Sequence, residues 1–313
     1  MSDVIVMSAM TDAQEQAWHA LLDLHQQLPE HWTVVGGQMV HLWCAARGKF
    51  IARPTDDGDA VLDVRLKKTI LWDFTDALQK QGFTPETASN GTQHRWTKDD
   101  AVIDVLIPRH LGPHSEKLKG AGGGTTIQTP GAQKVMNRTE VVHVRIGDRT
   151  GTVPRPSLLG AIVGKSAAYT VDLDRKRDRH LGDLVVLATL LSPRDVDGHR
   201  LLDRRELRLV SNAVGNARSK PGTWSYVDGG ADGLDRLSGV LGETRRLRDL
   251  HGRQWTKTAV YGGEQNVAAQ PGKGAPTRPA SWGAGNTRGK TTAKSNRGSF
   301  APQQNSAPEN SLG

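Results

Sequence analysis

Residues 101–107, Ala-Val-Ile-Asp-Val-Leu-Ile, read as a β-strand that is apolar on both faces except for Asp104 at its centre. An ionised carboxylate in such a place is costly unless a counter-charge or cation meets it, so the fold must bring one to the middle of a sheet. The segment Asp57-Gly58-Asp59 adds to this demand. In an extended strand, residues two apart project to the same side, so Asp57 and Asp59 present adjacent carboxylates. These repel unless a cation lies between them. Mg²⁺ takes one or two carboxylates together with phosphate oxygens. With Asp104 as the third acid, the set suits a two-metal centre for in-line attack on a phosphoryl group.

The flanking sequence organises around this pattern. Apolar positions at helical spacing (Ala17, Leu21, Leu22, Leu24, Leu28) predict a helix over 11–28, with Thr11 or Asp12 as N-cap. Trp32-Thr33-Val34-Val35 predicts a short strand, stopped by Gly36-Gly37, and a helical pattern resumes over 38–46. A strand is expected over 61–66, a helix over 69–81 closed by Gly82, and a hairpin from 94–96 and 101–107 about a turn at Lys98-Asp99-Asp100. Residues 110–134, with Ala121-Gly122-Gly123-Gly124, read as a long mobile loop, and 140–146 with 150–153 as another hairpin. From Pro156 the pattern turns helical over 157–169, 176–191, 203–214 and 233–251. Beyond about Tyr261 the chain is Gly, Pro, Ser, Thr, Asn and Gln with isolated Lys and Arg, including the lone aromatics Trp282 and Phe300. Such a tail cannot offset the entropy of ordering. The expected fold class is α+β: a mixed β-sheet domain with flanking helices over 1–154, an α-helical domain over 155–254, and a disordered basic tail over 255–313.

The strand that ends in Gly36-Gly37 before a helix lets backbone amides approach a triphosphate closely. Taken together, Gly36-Gly37, Arg53-x-Thr55-x-Asp57-x-Asp59 and Asp104 within Val-Ile-Asp-Val resemble the nucleotidyltransferase superfamily with the polymerase-beta core. Within it the chain is most similar to the AbiEii/AbiGii-type toxins of bacterial toxin–antitoxin systems. The resemblance covers roughly residues 15–195 and implies the nucleotidyltransferase fold, with Asp57, Asp59 and Asp104 as catalytic, metal-binding carboxylates. Gly36, Gly37, Arg53 and Thr55 would then border an NTP and two Mg²⁺ ions. Lys165-Ser166-Ala167-Ala168 stands where the family has a Lys-Leu-x-Ala element whose lysine meets the triphosphate. The leucine is missing here, and Asp172 replaces an expected arginine. Arg179-His180-x-x-Asp183-Leu184 resembles the family's basic-x-x-Asp-Leu helix, which implies a role for Asp183.

A formal charge of +8 and a pI near 9.7 favour a polyanionic partner. The arginines cluster at Arg175, Lys176, Arg177 and Arg179, at Arg204, Arg205 and Arg208, and at Arg245, Arg246, Arg248 and Arg253. With the resemblance, this points to RNA, and first to a tRNA 3′ end, as acceptor, with an antitoxin protein as a possible partner. The alternatives are transfer to a protein hydroxyl or to a small molecule such as an aminoglycoside, and a non-catalytic RNA-binding module on the same scaffold. Several readings are disfavoured. Gly160 to Ser166 resembles a P-loop but has three residues between the glycines where four are needed. His41, His94, His110, His114 and His143 show no metal-ligand spacing. Cys44 sits among apolar neighbours and reads as a buried thiol. The N-terminal residues carry no export pattern, and no apolar run is long enough for a membrane span, so a cytoplasmic protein is expected.

Overall fold

Thr11 begins the first long helix as its sequence demands. Its hydroxyl accepts from the Gln14 N–H, and the Gln14 side-chain oxygen accepts from the Thr11 N–H, a reciprocal capping box. In the computed structural model, which describes residues 4–7, 10–49, 55–110, 112, 117–172, 174–196 and 202–261 (backbone alone from 250), this helix is the second element of the chain. Chain order begins β1 (Ile5–Met7), α1 (Asp12–Gln27), β2 (Trp32–Val35), α2 (Gly36–Ala46), β3 (Asp57–Leu62) and α3 (Ile70–Lys80). It continues through β4 (Thr84–Pro85), β5 (Arg95–Lys98), β6 (Ala101–Pro108), β7 (Ile127–Thr129), α4 (Ala132–Met136), β8 (Thr139–Ile146) and β9 (Arg149–Pro156). The rest is helical: α5 (Leu158–Ala168), α6 (Arg179–Thr189), α7 (Arg204–Ser219) and α8 (Gly230–Tyr261).

Two sheets result, in a mixed α+β architecture. The larger has the order β2-β3-β6-β5-β4, with β7 pairing the far end of β6, and the smaller is β1-β8-β9. In the larger sheet β2 is antiparallel to β3, β3 parallel to β6, and β6 antiparallel to β5. The register sets Asp59 beside Asp104 and Gly58 beside Ile103. A Cβ on Gly58 would lie 3.5 Å from Leu21, so the face carrying Gly58, Ala60, Ile103 and Val105 packs on α1. The opposite face carries Asp57, Asp59 and Asp104. The period-two pattern has therefore sorted the acids from the core. On the α1 side, Trp18, Leu21 and Leu24 are buried, and Trp32 meets Phe74 edge to face at 5.3 Å.

Several elements depart from expectation. The strand over 61–66 instead runs Asp57–Leu62, because Asp63 ends it. Its buried carboxylate accepts from the N–H groups of Arg65 and Leu66 at 3.2 Å each, which turns the chain out of the sheet. The described part of the loop over 110–134 contains β7 and the start of α4, and its glycines are held. Gly124 N–H donates to Gln93, and Ala121 N–H donates to Thr75. The helix expected over 233–251 is longer at both ends, so residues 255–261, expected to open the tail, are helical. Arg53, His114, Trp282 and Phe300, and the tail beyond Tyr261, lie outside the described residues, as does the side chain of Arg253.

The helices beyond residue 155 share the core of the sheets, with Leu158, Ile162 and Leu184 in one apolar cluster with Trp18, Leu42 and Val144. Trp43 fastens the seam. Its indole N–H donates to the Pro156 carbonyl at 3.0 Å, and the Arg155 guanidinium covers its ring at 3.6 Å. Arg138 forks onto Glu206, itself 3% exposed, at 2.8 and 3.1 Å, tying the start of α7 to the residue before β8. Cys44 is 2% exposed, and burial pushes its thiol up to about 12, which leaves it inert. Among the described residues, no helix is long and apolar enough to cross a membrane.

Candidate active site

Asp57 and Asp59 face a cavity of about 460 Å³, large enough for a nucleotide. Asp104 joins them from β6. One oxygen from each of the three carboxylates lies within 4.8 Å of the others, and among the described residues this is the cluster suited to hold a metal ion. The donor set is all oxygen, as a hard divalent cation prefers. The charge is incompletely answered by the protein itself. Burial, then Asp57 and Asp104, push the Asp59 carboxyl up to about 7, against the opposing pull of Lys165 and Arg179. A divalent cation therefore fits the residues present.

A buried network aims the acids. The indole of Trp18 donates to Gln38 at 2.9 Å, and the Gln38 amide donates to the Thr55 carbonyl at 2.8 Å. Gln14 donates to that same carbonyl at 2.6 Å. Helices α1 and α2 thus pin the residue that leads into β3, and the Thr55 hydroxyl donates to Asp57 at 3.1 Å. Thr55 was expected beside the nucleotide. It lines the cavity, and its hydrogen bond to Asp57 orients an acid.

Gly36 and Gly37 form the first turn of α2 and line the same cavity. Their immediate steric role is toward the carboxylates. Gly36 has φ +67°, and a Cβ there would fall 1.6 Å from Asp59 Oδ2; on Gly37 it would fall 2.4 Å from Thr55 Oγ1. Glycine is required at 36 by conformation and by space. Gly36→Ala is expected to cost about 1–2 kcal/mol through the backbone alone, and to push Asp59 off the cluster. A thermal melt with and without Mg²⁺ checks both effects, and an unchanged melt with full Mg²⁺ stabilisation would contradict this account.

Arg95 is the site residue that sequence reasoning missed. It lies opposite Asp104 on β5 and forks onto it, Nε to Oδ1 at 2.9 Å and an Nη to Oδ2 at 2.8 Å. The same nitrogen stands 3.7 Å from Asp57. The cavity's other wall belongs to the helices. Lys165 of α5 and Asp183 of α6 meet there at 2.7 Å, 4% and 3% exposed. The lysine expected to meet a triphosphate is thus already tied to an acid expected in the same site. His180, beside them, bonds Asp174 at 3.1 Å. Burial first, then Lys165 and Arg179, lower it to about 4, so it is neutral at physiological pH. The structure brings together Gly36, Gly37, Thr55, Asp57, Asp59, Asp104, Lys165 and Asp183 around one cavity.

No family model matches the chain, and no curated protein matches it. Among the solved structures that match the chain are two of low sequence identity. One is an antigenic nucleotidyltransferase-like protein from Paracoccidioides brasiliensis, 14% identical, covering 72% of this chain and 94% of that one with a TM-score of 0.43. The other is the antibiotic-resistance factor ANT(2'')-Ia, 12% identical, covering 68% of this chain and 97% of that one with a TM-score of 0.37. At such distances, chemistry has to come from this chain's own side chains.

Proposed function

We propose that the protein is a nucleotidyltransferase that moves a nucleoside monophosphate from an NTP to an acceptor hydroxyl. The observation that carries this is the convergence of Asp57, Asp59 and Asp104 on one wall of a nucleotide-sized cavity. Asp57 and Asp59, with Asp104 beside them, would hold Mg²⁺, and the ions would offset charge on the phosphates and lower the pKa of the attacking hydroxyl. In the transfer, the acceptor oxygen bonds the α-phosphorus. The bond from that phosphorus to the bridging oxygen breaks, and pyrophosphate leaves with the electron pair. The hydroxyl proton passes to Asp104 and on to water. The Gly36 and Gly37 turn supports the phosphates from the strand side, and Lys165 from the helix side.

The acceptor in this reading is RNA, with a tRNA 3′ end first, and the role is that of an AbiEii-type toxin held by an antitoxin. Its support is the helical surface. Arg204, Arg205 and Arg208 on α7 and Arg245 and Arg246 on α8 are exposed, and Arg245 reaches Ser211 at 2.7 Å, so the two helices present their arginines side by side. Arg246 is partly answered by Glu243. Incubation of the protein with Mg²⁺, each labelled NTP, total RNA, cell protein and an aminoglycoside tests the reading, with Asp57→Asn as the blank. Label in RNA, lost in the blank, is expected. Label in protein or drug alone would move the acceptor, and RNA binding with no label anywhere would leave a binding module.

A further inference from the structure

The fork from Arg95 takes both oxygens of Asp104, and its Nη also stands 3.7 Å from Asp57. The fork leaves Asp104 only its outer lone pairs, and any cation arriving at them meets the positive guanidinium 2.8–2.9 Å from the same oxygens, so arginine and cation oppose each other at this carboxylate. Yet the site is built to keep the arginine. The β5–β6 register fixes Arg95 opposite Asp104, while neighbouring Trp96 is fully buried and anchors the strand. The arginine side chain itself remains 38% exposed and lines the cavity, so it has room to swing while its backbone stays fixed.

We propose that Arg95 is a displaceable counter-ion: it and the divalent cation compete for Asp104, and the displaced guanidinium turns into the same cavity to meet the polyphosphate of the nucleotide. A planar fork suits both partners, because carboxylate and phosphate present matching pairs of oxygens. The exchange makes charge sense. Without the cation, Arg95 is the cation in direct contact with the crowded acids, while Lys165 and Arg179 pull on Asp59 from the helices. With cation and nucleotide both bound, the acids are answered by the metal, and the phosphates need the arginine. Arg95 is thus a positioning residue that couples cation entry to nucleotide binding, and each ligand should strengthen the other.

This inference rests on the cation-dependent reading of the triad. Calorimetric titration of the nucleotide-free protein with Mn²⁺ separates the two. Arg95→Gln is expected to bind Mn²⁺ about tenfold more tightly than wild type, the size of one lost charge-assisted competitor, and to bind an NTP in the presence of Mn²⁺ about tenfold more weakly. Arg95→Lys, which keeps the charge without the fork, should fall between. If Arg95 only braced the strand, the variants would bind Mn²⁺ no better than wild type, and that result overturns the inference while leaving the metal site intact. Mn²⁺ binding by wild type that Asp57→Asn does not weaken, or no binding at all, overturns the metal site as well. A second measurement needs no folded variant. The Nε–H signal of Arg95 in ¹⁵N spectra of wild type should shift on adding Mg²⁺ as the bond to Asp104 breaks, and a signal that does not move overturns the exchange.

Discussion

Asp59→Asn is expected to reduce nucleotidyl transfer by about a thousandfold or more while making the metal-free protein more stable at pH 8. The first effect follows from the several kcal/mol of charge stabilisation that metal ions give such transition states, at 1.36 kcal/mol for each factor of ten. The second follows from linkage. The carboxyl of Asp59 titrates near 7 in the fold against 3.8 for its ordinary value, raised by burial first and then by Asp57 and Asp104. Below pH 4 it is protonated in the folded and unfolded chain alike and contributes no pH dependence. Between about 4 and 7 the unfolded chain gives up its proton while the folded chain keeps it, so stability falls as pH rises through that window and stays lowered above it. The loss is on the order of 2 kcal/mol, after allowance for the solvent that reaches the cavity. Asparagine cannot ionise, so the loss disappears. Melting curves at pH 5 and pH 8 check this: the wild-type decline should be steeper than that of the variant. Mg²⁺ should stabilise the wild type at pH 8, more weakly at pH 5, and the variant little at either. Equal pH slopes for the two proteins would refute the crowding of charge at Asp59.

The same acids show how far the sequence could be read. Asp57, Asp59 and Asp104 were legible because a carboxylate in an apolar strand breaks a rule that costs energy; the β3–β6 register crowds Asp59 against Asp104, and Arg95 answers Asp104 from β5. Helix α1 was legible because its capping box and apolar stripe are local. Arg95 was hidden because its meaning lies across the strand. A signal for it did exist. A two-residue turn at Asp99-Asp100, with Asp99 at φ +50°, pairs Lys98 with Ala101 and carries the ladder back to Arg95 opposite Asp104. Treating Lys98 as part of the turn concealed that register. By contrast, β1, β7 and α4, of three to five residues, are too short to show any periodicity. Gln14 and Gln38 read as ordinary helix residues, and only the packing of α1 and α2 on Thr55 reveals what their amides hold.

The largest stability effects belong to the other wall of the cavity. Lys165→Met is expected to destabilise the fold by about 3–5 kcal/mol, and Asp183→Leu by a similar amount, because each removes the charge 2.7 Å from an opposite charge that stays buried. The double variant Lys165→Met with Asp183→Leu removes both charges and replaces them with apolar groups, so it should recover most of that loss, within about 1–2 kcal/mol of wild type. Urea unfolding of the four proteins gives the coupling directly, and additive losses would mean the two groups do not depend on each other. The cycle also tests function. If the pair only glues α5 to α6, the recovered double variant should bind NTP as wild type does. If the ammonium also steadies the polyphosphate from the helix side, the double variant will fold and still bind NTP at least tenfold more weakly, the amount one charge-assisted contact supplies. A pair this deeply buried is a poor source of net stability, and its standing in a nucleotide-sized cavity, facing three acids, makes the second outcome the expected one.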